Sequence, residues 1–176
     1  KKFNMSDCKP VATPMSTNEK LSKEDKEKVD ESIYRSLVGS LIYLTNTRPD
    51  IVNSVSILPR FMSEPSKLYF AAAKRILVNI RGTTGYGVMY EKEEDCRLIG
   101  YTDSDWAGSI DDRKSTSGYV FQLGSKTVSW PSKKQATVAL SSAEAEYVAA
   151  TSAACEAIWL KRIMEDLHQI SNTSTT

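Results

Sequence analysis

Cysteine is scarce and scattered: Cys8, Cys96 and Cys155 are three in 176 residues, far apart and without a C-x-x-C pair. An odd count at such spacings argues against a disulfide framework and a zinc site, and suits a reducing compartment. An excess of either charge is missing too. Lys and Arg total 23 against 22 Asp and Glu, a net +1. No global field therefore selects a polyanion, and any nucleic-acid surface must come from local clustering. No apolar run approaches the roughly 20 residues of a membrane span, and the first residues do not form a signal peptide. The expectation is an intracellular chain, cytoplasmic or nuclear, with no membrane partner.

What remains is the balance of a globular protein, 40% hydrophobic and 26% charged, long enough for one ordinary domain or two small ones. Residues 1–30 are polar, with Pro10, Pro14 and an alternating Lys/Glu/Asp run from Asn18 to Asp30. They read as an extended arm and linker with a solvated face. Ile33, Leu37, Leu41 and Leu44 then recur at three- and four-residue steps, which predicts a helix from Asp30 to Thr45. Asp50 is placed to cap a second helix through Val52, Val55 and Leu58, which Pro59 kinks or ends. A third helix, Ser66 to Ile80, carries Leu68, Ala72, Ile76 and Ile80 as a stripe and closes at Gly82 and Gly85. Residues 31–90 thus form a helical module.

From Gly87 the period shortens towards two. Gly87–Tyr90 is a short strand candidate, followed by a charged turn, Glu91–Asp95. Arg97–Asp103, Gly118–Leu123 and Lys126–Trp130 read as three strands, the last two a hairpin across Gly124-Ser125. Ser141 opens the longest helix, reaching His168. Ser141 and Glu144 fit a capping box, which gives Glu144 a structural task. The helix centre, Ala145, Val148, Ala149, Ala150, Ala153, Ala154 and Ala157, is small and apolar almost all round, the mark of a buried helix. The fold class is α+β: an N-terminal helical module, then three strands and a long helix as an α/β layer.

Asp103 ends the first of these strands and Glu146 lies in the first turns of the long helix. A carboxylate on an Ala-lined helix is costly unless it is paired or binds a cation. Magnesium takes oxygen ligands, often one or two carboxylates with substrate phosphates. Asp105, two residues beyond Asp103, shares its strand face and competes for a substrate-contacting role. Arg113, Lys114, Lys133 and Lys134 can meet the phosphates of a nucleic acid. Lys74, Arg75 and Arg81 read as a solvated helix face, Trp106, Trp130 and Tyr119 as packing residues, and His168 as a helix-end residue.

Several blocks are more specific: Y-R-S-L-V-G-S-L-I-Y-L-T from Tyr34, T-R-P-D-I from Thr47, A-A-K-R-I-L from Ala72, G-Y-T-D-S-D-W-A-G from Gly100, D-R-K-S-T-S-G-Y from Asp112, S-W-P-S-K-K-Q from Ser129 and L-S-S-A-E-A-E-Y from Leu140. In this order, over nearly the whole chain, they resemble the Pol polyprotein of Ty1/copia-type LTR retrotransposons. The resemblance implies the C-terminal and connection region of a reverse transcriptase up to residue 90. From residue 91 it implies the N-terminal part of an RNase H domain. It places the family's first catalytic Asp on Asp103 and its catalytic Glu, also metal ligands, on Glu146. It implies Mg²⁺ as cofactor, with an RNA–DNA hybrid and other parts of Pol as partners, and products ending in 3′-hydroxyl and 5′-phosphate. The family's third catalytic Asp is expected beyond this helix, outside Lys1–Thr176. Pro59 and Tyr69 depart from the family pattern. The non-Met start and the polar tail, Ser171–Thr176, read as the ends of a piece of polyprotein. The expectation is a Pol fragment inactive alone, against a domesticated non-catalytic binding module or a decayed copy.

Overall fold

The structure, a computed structural model, describes residues 3, 5, 8–16, 21, 27–92, 97–169 and 175. Most of the charged run after Asn18, most of the charged turn after Tyr90, Cys96 and nearly all of the polar tail lie outside the described residues. The chain divides into two compact units, residues 1–87 and 88–176.

In the first unit α1 spans Glu31–Leu44, and its start is fixed by the Asp30 carboxylate, which accepts from the Ile33 amide at 2.9 Å. A 3₁₀ turn, Pro49–Ile51, leads into α2, Val52–Ile57, and Pro59 lies in a second 3₁₀ turn, Leu58–Phe61. α3 runs Lys67–Gly82 behind the Ser66 cap. Tyr34, Leu37, Val38 and Leu41 of α1 meet Ile51, Val55, Leu58 and the Tyr69/Ala72/Ala73/Ile76 face of α3 in one core. Tyr34 is wholly buried and donates its hydroxyl to the Leu58 carbonyl at 3.0 Å, while Phe61 and Tyr69 stack with centroids 4.0 Å apart. Burial, then the neighbouring Tyr69, raises the Tyr34 phenol far above its ordinary pKa.

Asp50 does not cap α2. Its carboxylate is held by Arg48, two residues earlier, through Nε at 2.8 Å and Nη2 at 2.7 Å. That nearly buried guanidinium also donates to the Thr83 carbonyl at 3.0 Å and hydroxyl at 2.7 Å, so it ties the start of α2 to the end of α3. Residues 8–16 run as an extended arm on α3. Buried Asn79 donates to the carbonyls of Val11 (3.0 Å) and Ala12 (3.1 Å), and Arg75 donates to Thr13 Oγ1 at 3.1 Å. Arg81 reaches Met5 O and Cys8 Sγ. Arg75 is half-buried against the arm, while Arg81 touches it and stays exposed, as a solvated helix face expects. Gly82 is required where the arm crosses, since a Cβ there would stand 2.7 Å from Pro10 Cβ.

Among the described residues the second unit has four antiparallel strands: β1 Leu98–Ser104, β2 Thr116–Leu123, β3 Lys126–Ser129 and β4 Ser132–Lys134. β2 is central, pairing with β1 along its whole length and with β3 and β4 in succession. The expected third strand is present and ends one residue early, at Ser129, with a register slip opposite Phe121 and Gln122, while β4, beyond Trp130-Pro131, was not foreseen. Pro131 has no amide to give a ladder. Gly87–Tyr90 is not a strand. Among the described residues no strand takes up its amides, and Met89 and Tyr90 are exposed, with the Tyr90 hydroxyl donating to Thr127 O at 2.9 Å.

α4 spans Ser142–Asp166 and packs on β1 and β2. Its Ala145, Ala149 and Ala153 are buried, and Leu98 and Phe121 meet Ala153 with Tyr119, Ala157 and Leu160 around them. α4 is not buried all round. Ala150 and Ala154 are exposed, as are Tyr147 (77%), Ile158 and Trp159, because the sheet covers one face alone. The helix ends with His168 in the left-handed region, at φ 58°. β1 has a strand neighbour on one side only among the described residues. Gly124 donates to Arg97 O and Asp105 to Thr116 O, so odd-numbered backbone groups serve β2 and even-numbered ones face the open edge.

Candidate active site

Asp103 is the sixth residue of β1, level with Gly118, and its side chain is exposed. Leu98, Gly100 and Thr102 lie on the face towards α4, so alternation puts Asp103 on the other face. Glu146 comes from α4, one helical step past the buried Ala145. Its Oε1 accepts the Ser104 amide at 3.3 Å. That amide points off the open edge of β1, so Glu146 wraps the strand end and arrives one residue from Asp103. The helix start is fixed by Ser141 Oγ, which accepts from the Glu144 amide at 3.1 Å, and by the Glu144 carboxylate, which accepts from Leu140 at 2.7 Å. Two carboxylates two positions apart therefore do different things, and about 200° of helix rotation separates them.

Asp105 lies past the end of β1. Its carboxylate accepts a short hydrogen bond from the Thr116 amide and covers Gly108 so closely that a Cβ there would collide with it. It anchors the loop 105–115. The backbone of that loop is closed by Ser109 to Lys114 O (3.1 Å) and Arg113 to Ser109 O (2.9 Å). Ala107 and Arg113 both adopt positive φ, 52° and 55°. Buried Ser115 accepts the Ala107 amide at 3.0 Å.

The four basic residues divide. Lys134 pairs with Thr116 in register and shares the face of Asp103, Gly118 and Ser132; Lys133, one position earlier, faces the α4 side. Lys134 Nζ is 2.6 Å from Asp112, whose carboxylate also accepts from the Lys114 amide, with Arg113 exposed between them. Burial pushes the Asp112 carboxyl up, but the hydrogen bonds from Lys134, Ser109 and Lys114 and the Lys134 charge outweigh it and hold the pKa at about 2. A depressed carboxyl stabilises the fold above its ordinary titration range, and the contribution is lost as pH falls towards the folded value. The stability difference between the wild type and Asp112→Asn should be constant above about pH 5 and vanish near pH 2. Thermal melts of both proteins across that interval measure it.

On the other flank of α4 lies a cavity of about 550 Å³ lined by Tyr119, Lys133, Gln135, Thr151, Cys155 and Glu156 among others. Tyr119 is raised to about 12 by burial, the Glu156 charge and a hydrogen bond to it. Gln135, a buried residue that sequence reasoning did not single out beyond its block, donates to Ser117 Oγ (2.8 Å) and Ala145 O (2.9 Å) and locks β2 to α4. Its only sequence signal is a polar residue between Lys134 and an apolar run.

Asp103 and Glu146 are hard oxygen donors of the kind magnesium takes, and Glu146 reaches the amide of the residue that follows Asp103. No group of three His, Cys, Asp or Glu side chains able to hold a metal occurs among the described residues.

The chain is 45% identical over 174 residues to the retrovirus-related Pol polyprotein from transposon TNT 1-94 of Nicotiana tabacum, covering 94% of this chain and 13% of that one. It is 42% identical over 165 residues to the Pol polyprotein from transposon RE2 of Arabidopsis thaliana, 93% of this chain and 11% of the relative. A secreted RxLR effector protein of Plasmopara viticola is 47% identical over 128 residues, 72% of this chain and 90% of its own length. The chain thus spans about an eighth of the length of the polyproteins it matches. No family model and no solved structure matches it.

Proposed function

Because the chain belongs to the family of retrovirus-related Pol polyproteins of copia-type transposons, as a segment of one, we propose that it supplies Asp103 and Glu146 as metal-holding carboxylates of an RNase H. The activity is cleavage of the RNA strand of an RNA–DNA hybrid. The observation that carries this reading is Glu146 on the Ser104 amide, which brings a helix carboxylate to the strand end, at the residue next to Asp103 in sequence. Magnesium, when held by these two residues, supplies Lewis-acid stabilisation of the charge that develops on the phosphodiester oxygens. The remaining tasks fall to the protein. The β1 backbone orients Asp103, the Ser104 amide orients Glu146, and Arg113, exposed beside the Lys134–Asp112 pair, meets phosphate charge.

Two carboxylates hold a divalent ion weakly, so the chain alone should cleave little. The test is magnesium-dependent cleavage of a labelled hybrid by a full-length Pol polyprotein carrying this segment. Asp103→Asn and Glu146→Gln should each reduce cleavage to background while leaving the melting temperature unchanged, and Glu144→Gln should retain it. Cleavage surviving both substitutions would refute the assignment. A second reading has one observation in its favour: the Plasmopara viticola relative is a protein nearly all of which this segment matches. On that reading a chain of this length serves as a binding module without cleavage. Hybrid binding by the chain with no cleavage even in the polyprotein would select it.

A further inference from the structure

Trp106 stands three residues beyond Asp103 and, against its expected packing role, is 56% exposed. Its position is nonetheless closely held. The preceding residue is fixed by the Asp105 amide on Thr116 O at 3.1 Å and by the Asp105 carboxylate on the Thr116 amide. The following residue, Ala107, is fixed by its amide on the buried Ser115 hydroxyl at 3.0 Å, in a positive-φ conformation that a residue with a Cβ adopts at a cost. The indole itself is oriented by Nε1, which donates to Ala139 O at 3.2 Å, two residues before the Ser141 cap of α4. The ring thus bridges the end of β1 to the lead-in of α4, the two elements that carry Asp103 and Glu146. Leu140 (85%) and Val138 (46%), on either side of Ala139, are exposed as well.

Burial does not explain such an arrangement. The loop holds a large apolar ring in a fixed orientation and leaves more than half of the residue in water. Pre-organised, exposed aromatic rings are suited to binding, since the entropy of ordering them is already spent. A hybrid of RNA and DNA offers a matching surface, because its A-like minor groove is wide and shallow and displays sugars and base edges. We infer that Trp106 is a substrate-positioning residue, whose exposed ring packs against a sugar and base edge of the hybrid beside the two carboxylates. The inference rests on the hybrid being the substrate of this site.

The experiment is anisotropy of a short fluorescein-labelled RNA–DNA hybrid titrated with the 176-residue chain in magnesium. Trp106→Ala removes ring and indole N–H together, whereas Trp106→Phe removes the N–H and keeps an aromatic face. The expected result is a loss of affinity of roughly fivefold or more for Ala, the scale of one aromatic stacking contact, with Phe close to wild type. Equal weakening by Phe and Ala would overturn the inference, because the ring would then matter only through its bond to Ala139. Wild-type affinity in both variants would overturn it as well, and would leave the hybrid reading intact. Failure of the wild-type chain to bind hybrid would sink both. Indole fluorescence in a Trp130→Phe/Trp159→Phe background gives an answer with Trp106 unaltered. Quenching by added hybrid is expected, and an unchanged signal at saturating hybrid would overturn the inference.

Discussion

Phe121→Ala should unfold the second unit while leaving the first intact. Phe121 lies on the central strand β2, is 2% exposed, and has its ring over Gly100 of β1, where any Cβ would collide with it. It also meets Tyr119 edge-on, with centroids 5.5 Å apart. Around it the buried cluster is small, Leu98 and Ala153 with Tyr119, Ala157 and Leu160 partly buried. Alanines supply most of the α4 side and cannot close in on a lost ring, so truncation leaves a cavity. Such substitutions cost about 3–5 kcal/mol, against roughly 5–15 kcal/mol for a whole domain. A unit with so few large buried side chains has little left after that loss. Thermal unfolding followed by far-UV circular dichroism should show two transitions in the wild type and only that of the first unit in the variant. A cost below about 1 kcal/mol would show that the ring is not the centre of the core.

Arg48→Ala is expected to have the second largest effect, on the first unit. The Arg48 side chain is 5% exposed and makes four hydrogen bonds, two to Asp50 and two to Thr83. Removing it strips Asp50 and the Thr83 carbonyl of their shared donor. Breaking a buried pair in this way typically costs about 3–5 kcal/mol, and the partial exposure of Asp50 places this case at the lower end. For a unit of this size about 3 kcal/mol is a drop in Tm of roughly 12–24 °C. Arg48→Lys should recover little, because an ammonium cannot fork onto a carboxylate and reach Thr83 as well. Asp50→Asn should cost less than Arg48→Ala, since an amide oxygen still accepts. The hydrogen bond and charge of Arg48 outweigh the burial that would raise the Asp50 carboxyl and hold it below its ordinary value. The contribution of the pair is therefore present at neutral pH and lost in acid. A melting-temperature change under a few degrees for Arg48→Ala would refute the clamp.

The helix starts were legible because each apolar stripe begins beside one polar side chain: Ser141 caps as its spacing to Glu144 predicts, and Asp30 and Ser66, read only as the starts of their helices, prove to be caps as well. The hairpin of β2 and β3 was legible from alternation and the Gly124-Ser125 turn. Elements that depend on a distant partner were not. Gly87–Tyr90 alternates like a strand yet has no ladder to join, and β4 exists because β2 is long enough to pair beyond Pro131. Asp50 looked like a cap because its own spacing allowed it; the competing donor, Arg48, is itself positioned by Thr83, 35 residues away. For the site, charge placed on an Ala-rich helix hinted at Glu146, but the resemblance selected it and Asp103. That Glu146 meets the Ser104 amide, and that Asp105 folds back on Gly108, are properties of the loop and of α4 packing on β1. No local pattern states them. The exposure of Trp106 was likewise hidden, since an indole reads as core until the surrounding fold declines to cover it.

The Glu146 contact with Ser104 also bears on the open edge of β1. An open strand edge with free amides is a template for pairing with another chain, and Glu146 occupies the outermost amide of the β1 edge with a negative charge. Alanine at this position would leave the Ser104 amide without its acceptor and the strand end without a charge, the combination that invites edge-to-edge pairing.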